Sequence, residues 1–410
     1  MHVLDRITAY EKLGLGLFIH WGLYSQLSKG EWIFKFGKFS MDEYQKLSDT
    51  FTAEDFDADA LACFAKENGF KYIVLTTRHH DGFSLYDTCG LCDFDSPHSR
   101  ANRDIVREFV DACNKHNVIP FLYHTTIDWY NSDYQNDFDT YLEYLRKSVE
   151  VLCTNYGKLG GFWFDGCWDK PNADWHENEL YGIIRKYQPN AIIINNTGLS
   201  HRGEKGNIEL DAVTLEQGCP ELVKNFNGDK YIASELCLTM NDHWGVSLSD
   251  FNYKSPCEII EVLCGSRKYG SNFLLNTGFE AQGKMPEIQR AYLNIVGRWM
   301  KIFGEAIYFG RPYIRENTTK NFILKGEGCL YIFAYNITID GSENVTVNVE
   351  EMPDEYVFEN VKDKISEVYW MDNNEPLKFE QDGEKFMINF TKNEYGTNYC
   401  VRVAKAILDK

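Results

Sequence analysis

No uncharged apolar run in these 410 residues approaches the ~20 needed to cross a bilayer, so no membrane-spanning helix is expected. The opening Met1-His2-Val3-Leu4-Asp5-Arg6 lacks a basic stretch followed by an apolar one, so no secretory signal is read there and a cytoplasmic location is the expectation. Positive charge is in short supply. Against 61 Asp and Glu stand 42 Lys and Arg, a net charge of -19. Such a field repels phosphates and anionic lipid headgroups, so neither nucleic acid nor membrane is an expected partner. The 12 cysteines follow no spacing pattern. Cys89-Gly90-Leu91-Cys92 is a lone CxxC with no second pair and no nearby His at ligand spacing, which reads as incidental rather than as a zinc or redox site. Reduced thiols are the simplest expectation. HExxH is absent, GxGxxG does not follow the first strand candidate, and no repeat or low-complexity segment is found. No metal and no organic cofactor is expected.

What is present is a core. Apolar residues make up 44% of the chain and aromatics 15%, enough for more than one folding unit. From residue 14 to about 303, short apolar runs alternate with amphipathic stretches. Asn102 to His116 sets Ile105, Val106, Phe109, Val110 and Cys113 at helical spacing, and Phe138 to Cys153 repeats this with Leu142, Leu145, Val149 and Leu152. Asp57 to Glu67, Glu177 to Tyr187, Cys257 to Arg267 and Pro286 to Ile302 are further helices. Seven or eight strands alternating with helices predict a parallel sheet, and an array this long predicts closure into a (β/α)8-like barrel over residues 1–310. After Gly310-Arg311-Pro312 the period becomes 2, as in Val345, Val347, Val349 and in Phe386, Ile388, Phe390. Turns at Gly326-Glu327-Gly328, Asp340-Gly341 and Asp382-Gly383 punctuate it. An antiparallel β-sandwich over residues 311–410 is expected.

Polar groups collect where the barrel runs end. Leu17 to Ile19 runs into His20, Tyr72 to Leu75 runs to His79 and His80, and Val118 to Tyr123 runs into His124. Gly161 to Phe164 runs into Asp165, Ile192 to Ile194 into Asn195 and Asn196, and Val213 to Leu215 into Glu216. The C-terminal ends of barrel strands are where active sites are assembled. Asp165, after Phe162-Trp163-Phe164 and before Gly166, is either tied fully to donors as a structural carboxylate or held for use. Glu216 ends another strand, and Glu235, near the end of the next, is its rival. Two carboxylates facing each other at roughly 5 Å serve retaining glycosidases as nucleophile and acid/base. The three imidazoles of His20, His79 and His80 fit donors to hydroxyl groups better than metal ligands, because neighbours on an extended segment point opposite ways. At least one of these imidazoles can equally be a plain core residue.

These segments resemble glycoside hydrolase family 29, the retaining α-L-fucosidases. The likeness runs through Leu13-Gly14-Leu15-Gly16-Leu17-Phe18-Ile19-His20-Trp21-Gly22, Lys29-Gly30-Glu31-Trp32 and Thr77-Arg78-His79-His80-Asp81-Gly82-Phe83. It continues in Leu122-Tyr123-His124, Phe162-Trp163-Phe164-Asp165-Gly166, Gly270-Ser271-Asn272-Phe273-Leu274-Leu275-Asn276 and Gly304-Glu305-Ala306-Ile307-Tyr308. The resemblance implies a catalytic barrel followed by a β-sandwich, with a fucosylated glycan as substrate. It implies Asp165 as nucleophile, Glu216 as acid/base with Glu235 as fallback, and His20, His79, His80 and His124 as holders of fucose hydroxyls. It further implies that Glu31, Trp32 and Trp163 line the sugar pocket and that Trp244 packs against the fucose methyl and ring. Many members carry an Arg after the fifth strand, where this chain has Asn195-Asn196-Thr197-Gly198-Leu199. Either Arg202 substitutes from the loop or the site lacks that charge. A carbohydrate-binding protein with an inactive barrel, or a hydrolase of a related sugar such as an α-L-galactoside, is the competing reading. Nothing in the chain specifies an oligomeric state.

Overall fold

A computed structural model describes residues 3–314, 320–347, 352–353 and 355–409. Eight parallel strands close into a barrel in chain order: β1 Leu15–His20, β2 Tyr72–Arg78, β3 Ile119–Thr125, β4 Gly161–Asp165, β5 Ile192–Asn196, β6 Ala212–Glu216, β7 Ala233–Leu238 and β8 Asn272–Gly278. Closure is between β1 and β8, with Gly16 opposite Leu274 and His20 opposite Gly278. Every residue of β1, β2, β5, β7 and β8 is buried. A parallel sheet covered on both faces needs continuous apolar runs, which is why these strands show so little alternation in sequence.

The pleat still sorts the side chains. Phe18, Tyr72, Phe121, Tyr123, Trp163 and Ile194 point inward and fill the barrel, and Ile7 and Tyr10 of the helix Asp5–Glu11 join them. Arg6 of that helix bonds bidentately to Asp211, immediately before β6, so the helix lies at the N-terminal end of the strands. Room for so many rings comes from small residues. A Cβ on Gly161 would come within 2.3 Å of the Phe121 ring.

Helices form where the spacing predicts them, and aspartates start three of them. Asp57, Asp104 and Asp137 each accept a hydrogen bond from a backbone N–H in the first turn of Ala58–Glu67, Ile105–His116 and Phe138–Asn155. The second begins at Ile105 rather than Asn102 because Asn102 has a left-handed backbone, φ 47°. The strand–helix rhythm breaks after β5 and β6. Residues 197–211 form a glycine- and charge-rich loop without an apolar period, and residues 217–232 hold only a two-residue hairpin, Phe226–Asn227 with Lys230–Tyr231.

Packing divides the chain into two units. The barrel unit takes the chain through Cys219, Val223–Lys254 and Asn272–Leu293. The second takes Pro220–Leu222, Ser255–Ser271 and the chain from Asn294 onward. Within the second, Arg311–Pro312, Phe322–Lys325, Cys329–Tyr335, Val401–Leu408 and Ile365–Trp370 form one antiparallel sheet. Tyr356–Phe358, Lys385–Ile388 and Phe379–Asp382 form another. Ile332, Val368 and Ala404 of the first share a core with Phe358, Phe386 and Ile388 of the second, which makes a sandwich. The alternation at Val345 and Val347 is not a strand. Both residues lie exposed in an irregular turn, and Val349 lies outside the described residues.

Candidate active site

At the end of β4, Trp163 and Asp165 share the inward face. Gly166 follows with φ 117°, and a Cβ there would sit 2.6 Å from Ile127, so only glycine makes this turn. The turn brings Trp168 back over Asp165, its Nε1 donating to Oδ1 at 2.8 Å. Tyr123 donates its hydroxyl to Oδ2 at 3.0 Å, and Nε2 of His80 lies 3.5 Å from the same oxygen. Burial alone would raise the pKa of this carboxyl. The surrounding His80, Trp168 and Tyr123 outweigh it and hold Asp165 below the ordinary carboxylate range.

Glu216 ends β6 in the opposite electrostatic state. Burial and the negative charge of Asp165 push it up to about 7, against the opposing effects of Asn196, Trp244 and Arg202. One amide joins the two carboxyls. Asn196 Nδ2 is 3.1 Å from Asp165 Oδ1 and 2.8 Å from Glu216 Oε2. Its orientation is fixed, since Oδ1 accepts from Thr214 Oγ1 at 2.9 Å and from the Gly198 N–H at 3.2 Å.

A cavity of about 560 Å³ opens over this pair. His20, Glu31, Trp32, His79, His80, Trp163, Arg202 and Trp244, all expected from the sequence, line it together with Asp165 and Glu216. Burial drives the pKa of His20 down to about 3, so its ring is neutral at working pH. Asn276 gives its amide N–H to the Trp244 carbonyl, which turns Oδ1 toward His20 Nδ1 at 2.7 Å and leaves Nε2 of that ring an acceptor. His79 is buried, and its Nδ1 has no partner among the described residues. Glu31 accepts from the backbone N–H groups of Trp244 and Gly245, at 3.1 and 2.8 Å, and so holds the loop that carries Trp244. The Trp244 ring stands 5.1 Å from His20. Arg202 reaches in from the loop after β5 and donates Nε to the Glu216 carbonyl.

Three expectations change. His79 and His80 do not point opposite ways, because the strand ends at Arg78 after a register shift and the chain turns there. Their rings lie 4.3 Å apart on one side. His124 does not line the cavity. It sits one residue past the inward Tyr123 and so faces outward, its Nδ1 2.8 Å from the Thr125 carbonyl oxygen and its Nε2 3.2 Å from Ser148 Oγ. Glu235 does not lie at a strand end. The apolar run continues through it, placing it in mid-β7 opposite Thr214 and Asn272, fully buried inside the barrel and away from the cavity.

Asn196 was among the strand-end polar groups but was given no role, and Tyr123 and Trp168 were not singled out from the sequence. Tyr123 shares strand parity with Phe121, a readable signal, whereas Trp168 enters the site only through the Gly166 turn. Among the described residues, no three His, Cys, Asp or Glu side chains gather as a cation site.

Comparison with known proteins gives a consistent picture. A family model described as alpha-L-fucosidase matches residues 5–305. The tissue alpha-L-fucosidase of Homo sapiens is 28% identical over 378 residues, covering 83% of this chain and 77% of that protein. The solved structure of alpha-L-fucosidase isoenzyme 1 from Paenibacillus thiaminolyticus superposes with a TM-score of 0.85 at 26% identity, over 99% of each chain. A Bacteroides thetaiotaomicron alpha-L-fucosidase, solved as a trapped covalent intermediate with 2-fluoro-fucosyl fluoride, shares the fold with a TM-score of 0.83. Its identity is 24%, over 99% of this chain and 97% of that one.

Proposed function

This chain belongs to the alpha-L-fucosidase family of glycoside hydrolases, and from that footing we propose that it releases terminal α-L-fucosyl units by double displacement, with Asp165 as nucleophile and Glu216 as acid/base. The observation that carries the proposal is the Asn196 bridge. One nitrogen bonded to both carboxyls, at 3.1 and 2.8 Å, keeps their nearer oxygens within about 6 Å of each other. Retaining enzymes hold the pair at about 5–5.5 Å, and inverting ones at about 6.5–9.5 Å to admit a water. The charge states fit as well. Asp165, held ionised, attacks C1 while Glu216, protonated up to about pH 7, donates to the departing oxygen. A glycosyl ester forms on Asp165. Water, deprotonated by Glu216, then releases fucose with its configuration retained. The covalent intermediate trapped in the Bacteroides thetaiotaomicron protein agrees with this route.

Hydroxyl recognition falls to the buried imidazoles. His20 offers an acceptor and His79 an unpartnered nitrogen, so a sugar lacking the matching hydroxyl leaves a buried polar atom unsatisfied. Trp244, edge-on to Phe18 and tilted against His20, offers an apolar face to the 6-deoxy carbon. Arg202, which lines the cavity from the loop after β5 and donates to the Glu216 carbonyl, is the cation available to stand in for the arginine that the family resemblance places after strand five.

The test is hydrolysis of 4-nitrophenyl α-L-fucoside by wild type, Asp165→Ala and Glu216→Ala, with and without azide. Both variants should lose activity. Azide should rescue the first as β-fucosyl azide and the second as α-fucosyl azide. An inverted product from wild type, or rescue of neither variant, would overturn the assignment.

A further inference from the structure

Glu235 is a titratable group that this chemistry leaves unused. It is fully buried in the barrel interior, one layer below the cavity. Such a carboxyl survives only if its oxygens are satisfied. Oε2 accepts from the hydroxyls of both Tyr10 and Tyr72, and Oε1 accepts from Trp163 Nε1 at 3.0 Å. Tyr10 and Tyr72 are themselves wedged against Phe121, with ring centroids 5.8 and 5.2 Å away, so the carboxyl has a rigid seat.

The third donor is the one that matters for function, because Trp163 lines the sugar cavity. Its ring lies stacked on Tyr123, centroids 5.6 Å apart and planes 22° apart. The Tyr123 hydroxyl in turn donates to Asp165 Oδ2 at 3.0 Å. A continuous set of contacts therefore runs from Glu235 through the Trp163 indole and the Tyr123 ring to Asp165.

We propose that Glu235 is a positioning residue for the glycosidic reaction: it anchors the Trp163 indole from inside the barrel, and through it sets the plane of Tyr123 and the hydrogen bond that Tyr123 makes to Asp165. It exchanges no proton with substrate. The proposal rests on the assignment of Asp165 as nucleophile. It ascribes the role of Glu235 to reach and shape rather than to acidity, and that distinction can be measured. Glutamine keeps the length and an acceptor for the indole N–H but has no acid. Aspartate keeps the acid but is one methylene too short to hold both the tyrosines and the indole.

Steady-state kinetics on 4-nitrophenyl α-L-fucoside, with folding checked by near-ultraviolet circular dichroism, separates the cases. Glu235→Gln should keep kcat/KM within about threefold of wild type, with an unmoved pH profile and no response to azide. Glu235→Asp should lose about tenfold or more, chiefly in kcat. In a Trp163→Phe background, which has no N–H to anchor, the same Asp substitution should cost less than about threefold. A folded Glu235→Asp with wild-type constants would overturn the proposal and leave a purely structural carboxyl. So would a cost that persists in the Trp163→Phe background, or a Glu235→Gln variant that is inactive and rescued by azide. If Glu235→Asp does not fold, the indole N–H proton of Trp163 decides. It should be protected from exchange and equally downfield in wild type and Glu235→Gln, and a fast-exchanging signal in wild type would refute the anchor. Inactivity of wild type itself would strike at the nucleophile assignment, not at the anchor, which the indole proton reports independently.

Discussion

Removing the bridging amide with Asn196→Ala should move the alkaline limb of the pH–rate profile upward, and the sign follows from the hydrogen bonds. Glu216 works as an acid only while protonated, so kcat/KM is expected to be lost as pH rises through its value of about 7. Asn196 donates its N–H to Glu216, which favours the ionised form and lowers that value. Without the amide the pKa rises. A hydrogen bond to a charged group contributes about 1.5–3 kcal/mol, and each pH unit corresponds to 1.36 kcal/mol. Trp244 and Arg202 remain and water takes up part of the space, so a net shift of about one unit is expected. Asp165 loses one of its donors at the same time. Its own limb, at the acid end, should therefore also move up, and kcat should fall about tenfold as the pair loses its common tether. The assay is kcat/KM on 4-nitrophenyl α-L-fucoside from pH 4 to 9 for both proteins. An alkaline limb that stays in place or moves down would refute both the acid role of Glu216 and the part given to the bridge.

Tyr123→Phe deletes a donor to Asp165, so the acid limb should move to higher pH and kcat/KM should fall about tenfold, both read from the same profile. His79→Ala and His124→Ala should part company: the first should reduce kcat/KM at least tenfold with little change in stability. The second should lower stability by about 1–3 kcal/mol in denaturant titrations while leaving KM near wild type, since His124 packs outside the barrel. Glu216→Gln should stabilise the fold at high pH. A carboxyl raised from 4.5 to about 7 on folding contributes its full stability below 4.5 and loses it as pH rises through 7, a difference of up to roughly 3 kcal/mol. The variant should therefore gain about 1–3 kcal/mol over wild type at pH 8 and little at pH 4.5, as measured by urea unfolding at the two pH values.

The barrel was legible because its strands are short continuous apolar runs, buried on both faces, and its helices carry apolar residues at helical spacing, both of which are local signals. The loops after β5 and β6 were not, since the sequence shows where an apolar period ends but not that the chain can cross to the next strand without a helix. The strand-end rule picked out Asp165, Glu216, His20, His79 and His80, and these five line one cavity. His124 and Glu235 show the limit of that rule. Position at a strand end must be joined to parity, and parity was readable for His124: Phe121, Tyr123 and Thr125 alternate with Leu122 and His124, so only one of the two sets faces inward. For Glu235 the difficulty is different. A charged residue in a buried run looks like the end of the run, and only the convergence of Tyr10, Tyr72 and Trp163, distant in sequence, reveals that the strand passes through it.

The bridge also accounts for how one carboxyl performs two opposed tasks in the proposed reaction. In the first step Glu216 must hold its proton, and the negative charge of Asp165, a short span away, helps it do so. Once Asp165 becomes an ester that charge is gone. The ester oxygen is also a poorer acceptor than a carboxylate, so the Asn196 amide, whose two N–H groups face the two carboxyls, is held less by Asp165 and can tighten its bond to Glu216. Both changes lower the pKa of Glu216 at the moment when it must take a proton from water. The switch needs no movement of the backbone, only the disappearance of one charge. It follows that the Asn196→Ala variant should be impaired more in deglycosylation than in glycosylation. Pre-steady-state mixing with an activated aryl fucoside should then show a burst of released phenol larger than any in wild type. A variant slowed equally in both steps, with no gain in burst, would mean that the amide serves geometry alone.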